Sequence, residues 1–480
     1  MVWRVTLFRI FLPVGVEADG LGMAVLFWDS SVLASEIPNW WFRITREISG
    51  NWPPGYPLAI ASLKPLLDDP LMAGRYLSAF ASGVLTFVVA YASKTVSGRR
   101  DSSLLAAGLM ATAPLSVAWD VRVRPETLFQ VFFFGSIAST YVFLMRRDLV
   151  ALRVLILSAG IACCIKYDGF LLVPGIIVSL RIGEREKGPL ELLACLPYFA
   201  GFAIAIAWAC VSPEYRMEYY TATSVTKLAW QGVRWAPTTM AAWAVASWWP
   251  ISLLSVVGIG VLTRIRAVRS ISLYSVSMLG LIAAAICINR DWSARHILIA
   301  IPLTITLASV GFQVLPWKRA IRFAIILALW AGSAYVSADW VAAEKEIWNE
   351  TIGSGRTIAE IRRSNPEAVV WTDDTYLTPY WARSDLQPLN DPRLVKSGDY
   401  VLLHDVYGPL NRGTSLDEFR EAIGAAVAVA EYSSSFRPLA GGLIDPSLLA
   451  ERESLADIGP APFWHRDESV TVRALLLRKD

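Results

Sequence analysis

Long uncharged apolar runs separated by short polar loops dominate the chain up to residue 338. The runs 77–93, 104–119, 127–145, 235–263, 270–289, 297–317 and 323–338 each approach the ~20 residues that a helix needs to cross a bilayer core. Shorter or charge-bearing candidates fill the gaps: 149–165, interrupted by Arg153, then 169–180 and 190–211. With an N-terminal segment at 2–16 they predict about eleven membrane-spanning helices. Segment 2–16 is short and carries Arg4 and Arg9. It spans only if tilted, with both side chains snorkelling to the interface, or if the natural chain extends further upstream. A cleaved signal peptide would require a small-residue cleavage site after a clear apolar region, and none follows.

From Asp339 the pattern is that of a soluble domain. Helical periodicity marks 358–363, after a turn at Gly353-Ser354-Gly355, and 416–423, after a Thr414-Ser415 cap. Strand-like runs occur at 368–371, 400–403, 426–430 and 470–477. The expected architecture is an all-α polytopic membrane bundle over residues 1–338, followed by a small α/β domain over 339–480. That second unit has about 140 residues, the usual size of one domain.

Composition agrees with the pattern. Hydrophobic residues make up 55% of the 480 positions and charged residues 18%, and the mean hydropathy is +0.45. These values exclude an ordinary soluble globular chain. The net charge of +3 implies no nucleic-acid partner, because most basic residues serve topology. Arg4 and Arg9, then Lys94 with Arg99 and Arg100, Arg146 and Arg147, and the basic stretches in 181–187, 264–269 and 318–322 fall at every second loop. The positive-inside rule makes those loops cytoplasmic. Loops 17–73, 120–125, 166–168, 212–240 and 290–296 then face outward, as does everything after Ser337.

Candidate chemistry belongs in the outward loops. The five cysteines lie in or at the ends of apolar spans and read as small core residues, and three histidines are too few for a histidine-based metal site. The first outward loop opens with Glu17-Ala18-Asp19 and continues through the amphipathic stretch 23–33 to Asn51-Trp52-Pro53-Pro54-Gly55-Tyr56-Pro57. A carboxylate at such an interface can deprotonate a hydroxyl or bind a metal that does so. Taken alone, Glu17 and Asp19 could equally end the span in water. Outward-facing Arg122, Arg124, Lys166, Arg290 and Arg295 run against the topological bias. Such charges either snorkel, pair with Asp120, Glu126, Asp168 and Asp291, or bind an anion. A polyprenyl phosphate is such an anion, its head at the interface and its tail in lipid; arginine would hold it bidentately and lysine as a point charge. Trp40, Trp41, Trp248 and Trp249 suit an interfacial aromatic belt, whereas Trp52, Tyr219 and Tyr220 suit either that belt or stacking on sugar rings.

The order of these features resembles the GT-C glycosyltransferases, in particular the bacterial relatives of the protein O-mannosyltransferases and of the aminoarabinose lipid A transferase. A short span is followed by an acidic loop, an interfacial helix, a Pro-Pro turn, and Gly74-Arg75-Tyr76-Leu77-Ser78 entering the next span. Asp120-Val121-Arg122-Val123-Arg124-Pro125-Glu126, Lys166-Tyr167-Asp168-Gly169 and Ser293-Ala294-Arg295-His296 fill the later outward turns, with His296 where the family has Tyr. The resemblance covers residues 10 to 340. It implies that Asp19, with Glu17 beside it, is catalytic, and that Arg295, Lys166, Arg122, Arg124 and His296 hold the donor phosphate. It also implies that Trp52, Tyr56, Glu126 and Asp168 contact substrate.

The activity so implied is transfer of a sugar from a polyprenyl-phosphate donor to a glycolipid, polysaccharide or protein acceptor. The reaction would take place on the outer face of an inner or plasma membrane, with the 339–480 domain on that same side. No nucleotide site is expected and no cofactor is certain; a divalent metal, Mg or Mn on Glu17 and Asp19, stays open. Two other classes compete. A transporter or flippase should show an inverted repeat and paired acids within its spans, and neither is visible. A noncatalytic receptor is left open by residues 339–480. The Asp373-Asp374 pair reads as a solvated turn after a strand.

Overall fold

The apolar runs fold as helices whose ends are set by proline and by charge. The computed structural model describes residues 55–67, 69–120, 123–187, 203, 236–237, 239–240, 243–244, 246–265, 268–288, 294–343, 349–372, 382, 386–389, 391–404, 416–436 and 470–480. The first helices are α1 (Gly55–Ala61), α2 (Pro70–Ser97), α3 (Arg100–Thr112), α4 (Pro114–Asp120), α5 (Pro125–Arg146) and α6 (Leu149–Ile165). A 3-10 turn, Tyr167–Leu172, leads into α7 (Val173–Lys187). Next come α8 (Trp249–Arg264), α9 (Arg269–Ile288), a second 3-10 turn at Ala294–Ala300, α10 (Ile301–Phe312) and α11 (Arg319–Ala343).

Among the described residues, four helical stretches are long and apolar enough to cross a membrane: Met72–Ser97, Pro125–Arg146, Arg269–Cys287 and Ala320–Asp339. Three shorter apolar helices accompany them, Leu149–Ile165, Trp249–Arg264 and Ile297–Phe312. Some expected spans are interrupted. The run 104–119 divides between α3 and α4, because Ala113 adopts an extended ψ of 118° before Pro114. The run 297–317 begins as a 3-10 turn and becomes α-helical only at Ile301, with Pro302 in its first turn. Segments 2–16 and 190–211 lie outside the described residues, apart from residue 203.

Apolar side chains alone do not hold helices together in lipid, so short polar bonds and close approaches do so. The Ser102 hydroxyl donates to the Ser309 carbonyl at 3.2 Å, tying α3 to α10. Ser136 donates to the Leu155 carbonyl at 3.1 Å between α5 and α6, and Ser333 to the Thr112 carbonyl at 2.7 Å between α11 and α3. Helices α8 and α10 nearly touch through backbone. A Cβ on Gly258 would lie 2.0 Å from the Leu307 carbonyl oxygen, and one on Gly311 would lie 2.1 Å from that of Leu254.

Beyond α11, helix α12 (Asn349–Ser364) precedes β1 (Val370–Thr372), β2 (Gln387–Pro388) and β3 (Tyr400–His404). Helix α13 (Leu416–Ile423), β4 (Ala426–Phe436) and β5 (Val470–Lys479) complete the set. The strands form one sheet in the order β2-β1-β3-β5-β4, parallel from β2 to β3 and antiparallel at both edges of β5. Both faces are covered. Leu402, Ala474 and Leu476 pack with Ile358 of α12, whereas Val401, Leu403, Leu475 and Leu477 pack with Ile423 of α13. Burial on two faces explains the unbroken apolar run Leu475-Leu476-Leu477.

The expected turn at Gly353-Ser354-Gly355 is instead part of α12. Gly353 is tolerated inside the helix because the ring of Tyr432 occupies the space, its Cδ1 only 2.7 Å from where a Cβ would stand. Strands β4 and β5 run beyond their expected ends to Phe436 and Lys479, because they pair with each other along that whole length.

Candidate functional site

Two glycines press the first loop and a later turn onto the same helix end. A Cβ on Gly55, the first residue of α1, would lie 2.5 Å from the Cys164 carbonyl oxygen, and one on Gly169 would lie 2.6 Å from the Cys163 nitrogen. No other residue allows backbones so close. Tyr56 and Asp168 are thereby brought to the C-terminal end of α6, where Lys166 leaves the helix in an extended conformation.

At this point α5 begins. The Lys166 ammonium lies 3.0 Å from Asp168 Oδ2 and 3.7 Å from Glu126 Oε1, and 5.9 Å from the Phe129 ring centre. Glu126 occupies the first turn of α5, where the helix dipole favours a carboxylate. Exposure is graded along this chain of charges. The Glu126 side chain is 3% exposed, that of Lys166 5% and that of Asp168 28%. Asp120, the last residue of α4, accepts a hydrogen bond from the Thr127 hydroxyl. The Arg124 guanidinium stands 5.6 Å from the centre of the Trp119 ring.

Tyr56 is buried beside this group. Burial pushes its phenol well above the ordinary range; a hydrogen bond with Ser78 opposes that, and the nearby Glu126 charge adds to it. The phenol is therefore a neutral hydrogen-bonding group, not a base.

Of the site residues expected from sequence, Tyr56, Arg124, Glu126, Lys166 and Asp168 converge at the α5 and α6 ends. Arg295 and His296 lie in the 3-10 turn Ala294–Ala300, which packs against α4, α5, α9 and α10. Its Leu298 carbonyl accepts from the Gln130 amide, one turn beyond Glu126. The backbone of this turn thus approaches the first turns of α5. Asp19, Glu17, Trp52 and Arg122 lie outside the described residues. So do Tyr219, Tyr220, Asp373 and Asp374.

Sequence reasoning passed over several buried polar side chains. Arg75, Ser78 and Ser82 on α2, and Gln130 on α5, are all buried. Their signal was spacing: positions 75, 78 and 82 recur at three and four residues, which puts them on one face of a helix. Among the described residues, no group of three or more His, Cys, Asp or Glu side chains could hold a metal ion.

The sequence family described as dolichyl-phosphate-mannose-protein mannosyltransferase matches residues 51–216, a stretch containing the whole Tyr56, Glu126, Lys166 and Asp168 group. No curated protein matches the sequence. Among solved structures, ArnT from Cupriavidus metallidurans bound to undecaprenyl phosphate superposes with a TM-score of 0.61 at 12% identity, covering 89% of this chain and 94% of that one. The apo state of the same enzyme superposes with a TM-score of 0.60 at 14% identity, covering 89% and 96%. The chain therefore shares the fold of ArnT, and its residues 51–216 match the dolichyl-phosphate-mannose-protein mannosyltransferase family.

Proposed function

We propose that the chain transfers a sugar from a polyprenyl-phosphate carrier to a hydroxyl acceptor, a glycolipid, polysaccharide or protein, on the outer face of an inner membrane. The observation that carries this reading is the match over 89% of the chain to a fold that has been solved with undecaprenyl phosphate bound. The basic residues at the outward turns suit the same anion.

In this reading the acceptor oxygen attacks the anomeric carbon from the side opposite the phosphate. A new C–O bond forms as the bond from that carbon to the phosphate oxygen breaks, inverting the centre. Asp19, seconded by Glu17, takes the acceptor's proton. The electron pair leaves on the polyprenyl phosphate, whose growing charge is met by Arg295 with His296 and by Arg122 and Arg124. Lys166, the other cation expected there, has its ammonium between two carboxylates. Trp52 and Tyr56 line the path of the sugar. A divalent ion, if used, would sit on Glu17 and Asp19 and polarise the acceptor hydroxyl. The 339–480 unit, placed on the outer side by the charge pattern, would cover the cavity mouth and help select the acceptor.

The test is release of free polyprenyl phosphate from a radiolabelled polyprenyl-phosphate sugar by the full chain in proteoliposomes. Turnover by the native chain that disappears in Asp19→Asn, at equal expression, supports the assignment. Undiminished turnover in that variant would remove Asp19 from the mechanism and make Glu17 the next candidate.

A further inference from the structure

Lys166 is not placed like a simple phosphate ligand. Its ammonium is buried and already engaged on two sides, at 3.0 Å by Asp168 and at 3.7 Å by Glu126, with the face of Phe129 beneath it. To reach a phosphate it would have to leave Glu126, which would then be a nearly unexposed carboxylate without its lysine. Breaking a buried charge pair in that way is strongly unfavourable. The other charged and titratable groups placed at this end, Asp120, Arg124 and Tyr56, come from α4, the start of α5 and α1.

We infer that Lys166 is a positioning residue. Anchored on buried Glu126, it fixes the carboxylate of Asp168, the exposed member of the three, so that Asp168 accepts hydrogen bonds from sugar hydroxyls. The geometry supports each link. Glu126 is fixed by its place in the first turn of α5. Gly169 allows the 167–172 turn to fold back on α6, so that Asp168 meets the lysine two residues before it. The gradient of exposure then leaves only the Asp168 end open to a ligand. This inference rests on the transferase reading, and it moves Lys166 from the leaving group to the sugar.

The full chain in proteoliposomes would be assayed for kcat, for KM of the polyprenyl-phosphate sugar, and for inhibition by free polyprenyl phosphate, which probes phosphate binding alone. Lys166→Met should reduce kcat/KM by about 100-fold, the size expected when a reacting group is displaced by about 1 Å. Asp168→Asn should act in the same direction. In Lys166→Met, inhibition by polyprenyl phosphate should stay within about twofold of the native value, because no charge-assisted bond to phosphate has been removed. The pair Lys166→Met with Glu126→Gln should be no worse than the worse single variant, since one interaction is lost in both. If Lys166→Met by itself does not fold, the double variant carries the test through its unchanged polyprenyl phosphate inhibition. Weakening of that inhibition by about tenfold, the scale of a lost charged hydrogen bond, would overturn the inference and return Lys166 to the phosphate. So would strictly multiplicative effects of the two substitutions. A native chain that turns over no donor sinks the transferase reading itself, an outcome distinct from either of these.

Discussion

Tyr56 shows how a residue's role depends on surroundings that its neighbours in sequence do not reveal. It follows a Pro-rich run in sequence, which suggests an exposed aromatic, yet its phenol is buried beside Ser78 and Glu126. Because its folded pKa is raised above the usual value of about 10, the phenol stays protonated where a free tyrosine would ionise. The activity profile should therefore have no alkaline limb from this group. Tyr56→Phe should leave the pH profile unmoved while raising KM; a shift of the alkaline limb in that variant would show that the hydroxyl titrates. Gly55 offers a stability test at the same place. A Cβ there meets a backbone carbonyl, so Gly55→Val should cost about 1–3 kcal/mol through overpacking, read as a lower unfolding temperature in detergent. The pairing of Lys166 with Glu126 and Asp168 was legible as one of three options for an outward cation: snorkelling, pairing or anion binding. Only side-chain positions select among them, because two segments distant in sequence, at 126 and at 166–168, supply the charges.

At the scale of elements, periodicity and charge located most helices, since a bilayer demands long apolar runs and the positive-inside rule orders their ends. The errors came from single residues that override an apolar average. Ala113 and Pro114 break one run into α3 and α4, and the stretch 294–300 winds as a 3-10 turn. Gly353-Ser354-Gly355 looked like a helix stop, but continues as helix under the ring of Tyr432. Helices α8 and α10 carry a sharper expectation. Gly258→Leu or Gly311→Leu would place side-chain atoms inside the opposing backbone, so each should abolish folded protein as judged by size-exclusion of detergent extracts. Gly260, on α8 but with open space around its Cβ position, is the control: Gly260→Ala should behave as the native chain.

For the whole molecule, one test concerns the division of labour. Asp373 and Asp374, the sites of the Asp373→Ala/Asp374→Ala double variant, follow β1 in sequence, lie outside the described residues and are assigned no chemistry. Donor turnover should stay within about twofold of native, since Asp at a strand end is ordinarily a solvated turn former. Loss as complete as that of Asp19→Asn, in a folded protein, would move the active site to the 339–480 unit.

Composition and hydrophobic period were enough to predict a mostly helical chain with long apolar spans and an α/β unit after them, and the order of motifs pointed to the GT-C type. These are one-dimensional properties: the cost of exposing backbone or charge to lipid acts on every residue of a span, so it is written along the chain. Tertiary structure alone decided that Tyr56, Arg124, Glu126, Lys166 and Asp168 share one site, that β5 is buried on both faces, and that a lysine expected to meet phosphate stands between two carboxylates. Such pairings depend on distances of a few ångströms between elements, set by where a glycine lets two backbones meet, and no local pattern encodes them.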